Sequence, residues 1–223
     1  MEYVYYNKEK FYVKDGVLSI LRKGIKSIDE IECLEKLTNL RVLNLSWNEI
    51  TEIKGLEPLE SLRTLDLTTN RITEIKGLDN FTNLWKLSLA GNQITEIKGL
   101  DNLVSLNHLS LGYNQITEIK GLGTLKNLVT LHLDGNKIRE MKGFDGLDKI
   151  WHLCLDENQI QEIKGLEPLI GLAELNLNGN QITNTKGLEP VRGIRVYLWG
   201  NPITNPKEEL EKLRASGYEI DPL

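Results

Sequence analysis

The chain has 223 residues, of which 40% are hydrophobic and 26% are charged, and its formal net charge at pH 7 is −5. This composition fits one folded domain or a short repeat array and excludes a disordered chain. The acidic balance argues against a nucleic-acid partner, and no apolar run approaches the length of a membrane span, so we expect neither nucleic acid nor membrane as a partner.

The first segment of the chain alternates apolar and polar stretches. YVYY at 3–6 and FYV at 11–13 flank the polar NKEK, and VLSIL follows at 17–21. This pattern predicts a β-hairpin or a three-stranded meander, and we assign residues 1–27 to an N-terminal β cap over the core that follows. The first residues show no secretory leader pattern, and we expect a cytoplasmic protein.

Residues 28–204 repeat with a period of 22 residues. The heptapeptide ITEIKGL stands at 50–56, 72–78, 94–100 and 116–122. Aligned on this period, the chain reads L-x-x-L-x-L-x-x-N-x-I-x-x-I-x-G-L, with the asparagine at 48, 70, 92, 114, 136, 158, 180 and, one residue early, 201. A fixed period of this length is typical of a stacked repeat, in which each repeat unit forms one coil.

Each coil contains a short strand pattern. In Leu43-Asn44-Leu45 the two leucines point to one face and the asparagine points to the other. A single coil buries too little apolar surface to offset the entropy of ordering its residues, so it cannot fold alone. Stacking covers the apolar side of each coil and pairs the short strands into one parallel sheet. After the glycine of each coil, an acid and an apolar i, i+3 pair predict a 3₁₀ turn or short helix.

The invariant glycine and asparagine have structural explanations. The glycine at 55, 77, 99, 121, 143, 165 and 187 indicates a tight corner or a close backbone approach. Cys33 occupies that position in the first of these coils, so we expect a different turn there. The asparagine follows the strand, where stacked amides can satisfy the buried backbone groups of the loop as a ladder.

Two charged columns also repeat. Glutamates at 52, 74, 96, 118, 140 and 162 stand two residues before lysines at 54, 76, 98, 120, 142 and 164, and a further lysine stands at 186. Because an inward-pointing residue lies between them, the two columns can screen one another on a solvated surface. We interpret this charged lattice as part of the scaffold.

The last segment predicts a C-terminal cap over residues 205–223. Asn205, Pro206 and Glu208 match the N-cap, the first helical position and the third, and Gly217 is placed to follow the helix end. Leu210 and Leu213 would share the face that covers the last coil.

The repeat pattern resembles leucine-rich repeats, specifically the short 22-residue class of intracellular phosphatase-regulatory subunits and of the repeat region of internalins. The resemblance covers residues 28–204. It implies an α/β repeat solenoid in the form of a right-handed horseshoe, with a concave parallel β-sheet and convex short 3₁₀ or helical turns, as a single domain over residues 1–223. The usual activity that it implies is binding of another protein on the concave face.

The repeats stop agreeing at the outward strand positions and just before each asparagine. All four tryptophans and all three histidines lie in or beside this strip. Exposed Trp, Tyr and Arg residues often dominate binding energy, so the strip predicts a partner-binding surface. Its basic residues lie toward the first coils and its acidic residues toward the last, which would orient a partner. The predicted contact residues are Trp47, Trp85, Lys86, His108, Tyr113, His132, Asp134, Trp151, His152, Asp156, Glu157, Glu174, Tyr197 and Trp199.

One cluster within the strip has other interpretations. His132 and Cys154 fall in the same row on adjacent strands, about 5 Å apart by strand spacing, with His152 one row away. Such a cluster could bind zinc, or form a Cys-His nucleophile pair. No spaced signature such as C-x-x-C supports either reading, so we expect no cofactor, no metal and no catalysis. Cys33 and Cys154 would lie about 25 Å apart in the stack and should remain free thiols.

The sequence therefore predicts a monomeric, non-enzymatic scaffold that binds a partner protein, with a regulatory subunit as one form of that role. Two alternatives stay open. One is an internalin-like surface adhesion module, and the other is an idealised or recently duplicated repeat scaffold without a tight partner.

Overall fold

The computed structural model of the protein describes residues 2–220. Within that range it has twelve strands, three 3₁₀ segments and one α-helix. No helix in that range has the length and apolar character needed to cross a bilayer. The strands are β1 Tyr3–Tyr6, β2 Glu9–Tyr12, β3 Val17–Ser19, β4 Val42–Asn44, β5 Thr64–Asp66, β6 Lys86–Ser88, β7 His108–Ser110, β8 Thr130–His132, β9 His152–Cys154, β10 Glu174–Asn176, β11 Arg195–Tyr197 and β12 Glu219–Ile220.

The N-terminal segment forms a hairpin rather than a meander. Strands β1 and β2 pair antiparallel, and the turn between them places Asn7 and Lys8 at φ 48° and 64°, as a tight hairpin turn requires. Val4 and Tyr6 are buried against the first coils. Strand β3 leaves the hairpin and pairs parallel with β4 in the main sheet. Val17–Ser19 is therefore the first strand of the stack, although the sequence placed it within the cap.

The main sheet contains ten strands in the order β12 to β3, all parallel. Each strand faces its neighbour residue for residue, so that Leu43 aligns with Leu65 and Leu65 aligns with Leu87. This middle leucine points inward and is fully buried, while the residues on both sides of it point outward. The stack is the expected right-handed horseshoe, with the parallel sheet on its concave side.

The convex side is built from turns more than from helices. The 3₁₀ segments are Ile28–Glu30, Leu34–Lys36 and Glu189–Val191, all near the two ends of the stack. In the middle coils the positions equivalent to Leu34–Lys36 and Glu189–Val191 form single bonded turns, as where Leu103 N donates to Leu100 O at 3.0 Å. The convex turns thus keep the predicted i→i+3 bonds without extending into helices.

The corner turn of each coil requires a left-handed residue and close backbone contact. Gly121 has φ 69°, and a Cβ on it would stand 2.6 Å from the carbonyl oxygen of Ile97 in the preceding coil. Cys33, at the same position of its own coil, also has φ 69°. Our expectation of a different turn there was wrong, since the cysteine itself adopts the left-handed conformation.

The asparagines form the expected ladder, but their amides bond to backbone rather than to each other. Asn136 Nδ2 donates to Leu133 O in its own coil and to Leu111 O in the preceding coil, both at 3.0 Å. Its Oδ1 accepts from Ile116 N at 2.9 Å. Within residues 2–220, every buried side-chain nitrogen and oxygen has a hydrogen-bond partner. Each asparagine therefore links two coils and satisfies the turn between them.

The charged lattice connects neighbouring coils. Lys98 Nζ lies 2.8 Å from Glu74 in the preceding coil and 3.7 Å from Glu96 in its own coil. The neighbouring glutamate raises the pKa of Lys98, chiefly through this hydrogen bond. The side chains are about half exposed, so solvent screens these ion pairs and their contribution to stability is small.

The C-terminal cap consists of helix α1, Pro206–Ala215, followed by β12. Leu213 is buried and Leu210 packs beside it, as the sequence predicted. Asn205 is the N-cap residue and Pro206 the first helical residue, as predicted, but Asn205 has φ 52° and its side chain makes no capping bond. Gly217, at φ 89°, ends the helix in the left-handed conformation. Residues 221–223 of the predicted cap lie outside the described residues.

Candidate functional site

The variable residues form a concave strip of two parallel rows on the outer face of the sheet. The register places the first residue of each strand in row one and the third residue in row two. From β4 to β11, row one contains Val42, Thr64, Lys86, His108, Thr130, His152, Glu174 and Arg195. Row two contains Asn44, Asp66, Ser88, Ser110, His132, Cys154, Asn176 and Tyr197.

The aromatic residues line both edges of this strip. Trp85 and Trp151 stand just before β6 and β9, at equivalent positions three coils apart, and they are 46% and 53% exposed. Trp47, Tyr113 and Trp199 stand beyond the strand ends, and they are 52%, 55% and 66% exposed. The structure therefore divides what the sequence treated as one strip into an aromatic edge on each side of the two rows.

The residue before each asparagine is held in the left-handed conformation in every coil. Four coils use glycine there, at 91, 135, 179 and 200, but Trp47, Thr69, Tyr113 and Glu157 have φ 60°, 55°, 53° and 53°. A non-glycine residue in this conformation costs about 1–2 kcal/mol. Strained residues of this kind cluster at functional sites, so these four positions are candidates for direct contact with a ligand.

Two aromatic groups meet within the strip. The Trp85 and His108 rings lie 4.4 Å apart between centroids in an edge-to-face arrangement. The His132 and His152 rings lie 5.1 Å apart and are stacked. Small residues between the two groups, including Ser88 and Ser110, leave a shallow hollow between them. The middle of the strip is thus a depression bounded by rings.

The second group continues into a cluster of polar side chains. Glu174 lies 3.4 Å from His152 Nδ1, and Asp134 lies 3.9 Å from His132 Nδ1. Burial lowers the pKa of His132, and the neighbouring His152 lowers it further. Burial also raises the pKa of the Asp134 carboxyl group. At neutral pH the His132 imidazole is therefore uncharged and has one nitrogen lone pair available.

The Cys154 thiol is protonated in this environment. Burial raises its pKa strongly, and the nearby Asp156 carboxylate, 2.9 Å from Sγ, raises it further. The thiolate, not the thiol, is the nucleophile of a Cys-His pair. The free-cysteine nucleophile considered from the sequence therefore lacks the electrostatic support it needs.

The charge of the strip changes along its length. Lys86 lies near the first coils, while Asp134, Asp156 and Glu174 lie toward the last. The carboxylate of Glu157 is the largest influence that raises the pKa of Tyr113, whose phenol stands beside this acidic part. The acidic residues of the strip are therefore concentrated between β8 and β10, while Asp66 on β5 and Arg195 on β11 oppose a simple gradient along its length.

The structure adds a residue that the sequence reading omitted. The Arg22 guanidinium lies 4.9 Å from the centroid of the Trp47 ring. Arg22 also has φ 55° and stands at the left-handed position of the first coil. Lys23 replaces the asparagine in that coil, so the repeat pattern of the sequence does not show that these residues form a coil. Trp47 and Arg22 sit far along the strip from the histidine cluster, and Trp199 lies beyond the opposite end of it.

Comparison with known families matches a leucine-rich repeat model, in two copies, to residues 38–80 and 104–148. Among curated protein sequences, none matches this chain significantly. The fold resembles many solved structures.

An internalin of Listeria monocytogenes, inlF, is 30% identical with a TM-score of 0.79 over 93% of this chain and 62% of its own. Internalin C2 of the same organism is 30% identical with a TM-score of 0.71 over 84% of this chain and 79% of its own. The functional domain of InlJ, also from Listeria monocytogenes, shares the fold at 24% identity and a TM-score of 0.66, over 85% of this chain and 45% of that one. This chain thus spans less than two thirds of inlF and InlJ.

Proposed function

Because this chain belongs to the leucine-rich repeat family, whose internalin-type fold is typical of protein-protein interaction modules, we propose that its concave strip binds a partner protein. The observation that carries the proposal is the exposure of all four tryptophans along the two edges of the strip. The leucines and isoleucines of the repeat pattern are almost fully buried, so the core has room for large apolar side chains. A folded protein that leaves large aromatic rings in water on one surface has a use for them in binding.

The dimensions of the strip fit a protein interface. Trp85 and Trp151 are three strands apart, which is about 14 Å at the usual strand spacing. The core of a standard protein interface, at about 800 Å² per partner, readily spans that distance. Two tryptophans that flank a shallow hollow provide anchor residues of the kind that dominate binding energy.

Charge gives the partner an orientation. A partner with an acidic end toward Lys86 and a basic end toward Asp156 and Glu174 would be attracted in one direction and repelled in the other. The charged lattice cannot supply such information, because it repeats the same pair in successive coils. We therefore place recognition on the concave strip and scaffolding on the lattice.

The test is affinity capture from the native extract with three baits: the wild-type chain, a Trp85→Ala/Trp151→Ala variant, and an Ile170→Ala control. Ile170 is 79% exposed but lies on the convex side, in the segment between the corner glycine and the next strand. We expect a partner that the wild type and the control retain and the tryptophan variant loses. With that partner purified, each tryptophan truncation should weaken binding by about 2 kcal/mol or more.

Capture that depends on Ile170, or that survives loss of both tryptophans, would contradict the assignment of the binding face. Each variant should first show the cooperative unfolding of the wild type. Both tryptophans project from strand ends without filling the core, so their removal should leave the fold intact.

A second candidate function is a surface adhesion module, favoured by the 30% identity to two internalins. A cytoplasmic regulatory scaffold and a surface module would use the same strip for partners in different compartments. Protease treatment of intact cells separates them, because a surface module would be cleaved and a cytoplasmic one protected. A monomeric state and the absence of catalysis remain part of the proposal.

A further inference from the structure

The histidine cluster brings together three side chains that metals prefer. One ligand atom from each of His132, His152 and Cys154 lies within 4.8 Å of the others. They come from two adjacent strands, β8 and β9, whose register pairs His132 directly with Cys154. The parallel sheet therefore fixes the backbones of all three residues, and only side-chain rotation is needed to close the set around an ion.

Against the expectation from the sequence that no metal binds here, we propose that His132, His152 and Cys154 bind a divalent transition metal of the zinc type on the concave face. Imidazole nitrogen and cysteine sulfur are the ligands that zinc selects over magnesium and calcium, which prefer oxygen. Asp134 and Asp156 place carboxylate oxygens within 4.8 Å of each other and of the same sulfur. One of these carboxylates completes a tetrahedral set of two nitrogens, one sulfur and one oxygen.

A second layer of contacts supports the ligands. Glu174, on β10, lies 3.4 Å from His152 Nδ1. With the proton on Nδ1, the lone pair of His152 Nε2 is available to a metal ion. Metal-binding histidines commonly donate one ring N–H to a carboxylate in this way, which fixes the tautomer and the ring orientation. Asn176 Nδ2 lies 3.5 Å from Cys154 Sγ, so the sulfur also has a polar neighbour on the next strand.

The surrounding charge also favours a cation. Asp134, Asp156, Glu157 and Glu174 lie around the cluster, and the basic residues of the two rows, Lys86 on β6 and Arg195 on β11, each stand two strands from it. Nearby carboxylates disfavour a thiolate that has no metal bound to it. A bound divalent ion compensates their negative charge and deprotonates a coordinating thiol. The same carboxylates attract the divalent ion to the cluster.

Packing alone does not explain the cluster. Equivalent row-two positions in the neighbouring coils hold Ser110 and Asn176, and the residue that faces His152 in β8 is Thr130. These positions accept small polar residues without loss of the repeat, so the fold does not require two imidazoles and a thiol there. Their convergence in adjacent coils is a departure from the scaffold pattern that metal binding accounts for.

The experiment titrates the metal-free chain with Co²⁺, which reports thiolate ligation through an absorption band, followed by competition with Zn²⁺. The wild type should show a saturable sulfur-to-cobalt band at one equivalent, and Zn²⁺ should remove it. Cys154→Ser should abolish the band and His132→Ala should weaken binding strongly. Glu174→Gln should weaken it about tenfold, as loss of a second-layer carboxylate does.

Two matched variants keep the test specific. Cys33→Ser removes the other free thiol, and His108→Ala removes the histidine that lies on the same face outside the cluster, and both should bind metal like the wild type. Melting curves without metal establish that every variant is folded at the assay temperature. No saturable band in the wild type, or a band that depends on Cys33 and not on Cys154 and His132, would overturn the proposal.

Discussion

Each coil makes two left-handed turns, and they differ sharply in what they tolerate. At the corner turn the position is glycine in every coil from Gly55 to Gly187. At the turn before the asparagine, residues as large as Trp47 and Tyr113 adopt nearly the same φ. Backbone strain is therefore similar at the two turns, and another factor separates them.

That factor is the space beyond the Cα atom. At the corner, a Cβ on Gly121 would approach the carbonyl oxygen of Ile97, which belongs to the rigid backbone of the preceding coil. At the asparagine turn, a Cβ on Gly179 would meet nothing nearer than Glu157, with its side chain 3.6 Å away. One turn is closed by the stack and the other opens to solvent beside the concave strip, so only the second can diversify for recognition.

The largest expected effect tests this contrast directly. Gly121→Ala should lower the free energy of unfolding by about 3–4 kcal/mol, because left-handed strain and a backbone clash add together. Gly179→Ala, with the strain but not the clash, should lower it by about 1–2 kcal/mol. Urea unfolding of the two variants measures both values. Equal losses would show that conformation alone distinguishes glycine from other residues at these turns.

Replacement of the ladder asparagine, which directly follows this left-handed residue, should lower the free energy of unfolding somewhat less. Asn136→Ala should cost about 1–3 kcal/mol, because it leaves buried backbone groups of two coils without partners. Glu96→Gln, in the exposed lattice, should leave the urea midpoint unchanged within error, because solvent screens its ion pairs. If the two midpoints shift equally, the ladder does not hold the coils together.

The smallest expected effect is at the tolerant position itself. Tyr113→Gly should keep the free energy of unfolding within about 1 kcal/mol of the wild type, since relief of strain is offset by the greater chain entropy of glycine. The Tyr113 ring lies against Gly135 of the next coil, 2.6 Å from where a Cβ would stand there, so some contact is lost as well. Thermal unfolding measures the balance. A loss above about 2 kcal/mol would make the ring a structural element instead of a binding one.

The fold could be predicted because its signals are local and repeated. The period of 22 residues defines the stack, and Leu43-Asn44-Leu45 defines the strand and its buried face. The period also places His132 beside Cys154, because equivalent residues of adjacent coils must pair in a parallel sheet. Stacking and register follow from one alignment of the chain with itself, whereas the curvature that makes the sheet concave was implied by the resemblance to leucine-rich repeats.

What the sequence could not reveal depends on single residues away from the repeat. Cys33 at the corner is a residue that seldom takes positive φ, and only the structure shows that it adopts the glycine conformation there. Asn205 has a good capping side chain, but the chain reaches it in the left-handed region and directs that side chain elsewhere. The first coil was missed because Lys23 replaces its asparagine.

The candidate site was predicted by position and not by contact. The residues of the strip were predicted because the repeats differ in sequence at those positions. Such variation locates a surface but gives no information on side-chain rotamers. The stacking of His132 on His152, the approach of Glu174 and the ring of Trp47 over Arg22 depend on side-chain torsions. Those torsions are set by neighbours in adjacent coils, which no local pattern encodes.

The asparagine ladder has a consequence for how such a chain can change over time. Asn136 bonds to backbone groups 25 and 20 residues back, both in the preceding coil, so the link is defined relative to whole coils. Duplication or deletion of one 22-residue unit between equivalent positions would regenerate every link, whereas insertion of a few residues would break several. The protein can therefore be lengthened in steps of about 4.8 Å, one strand at a time. Duplication of whole units in the gene can therefore change the length of the binding surface while the core contacts stay the same.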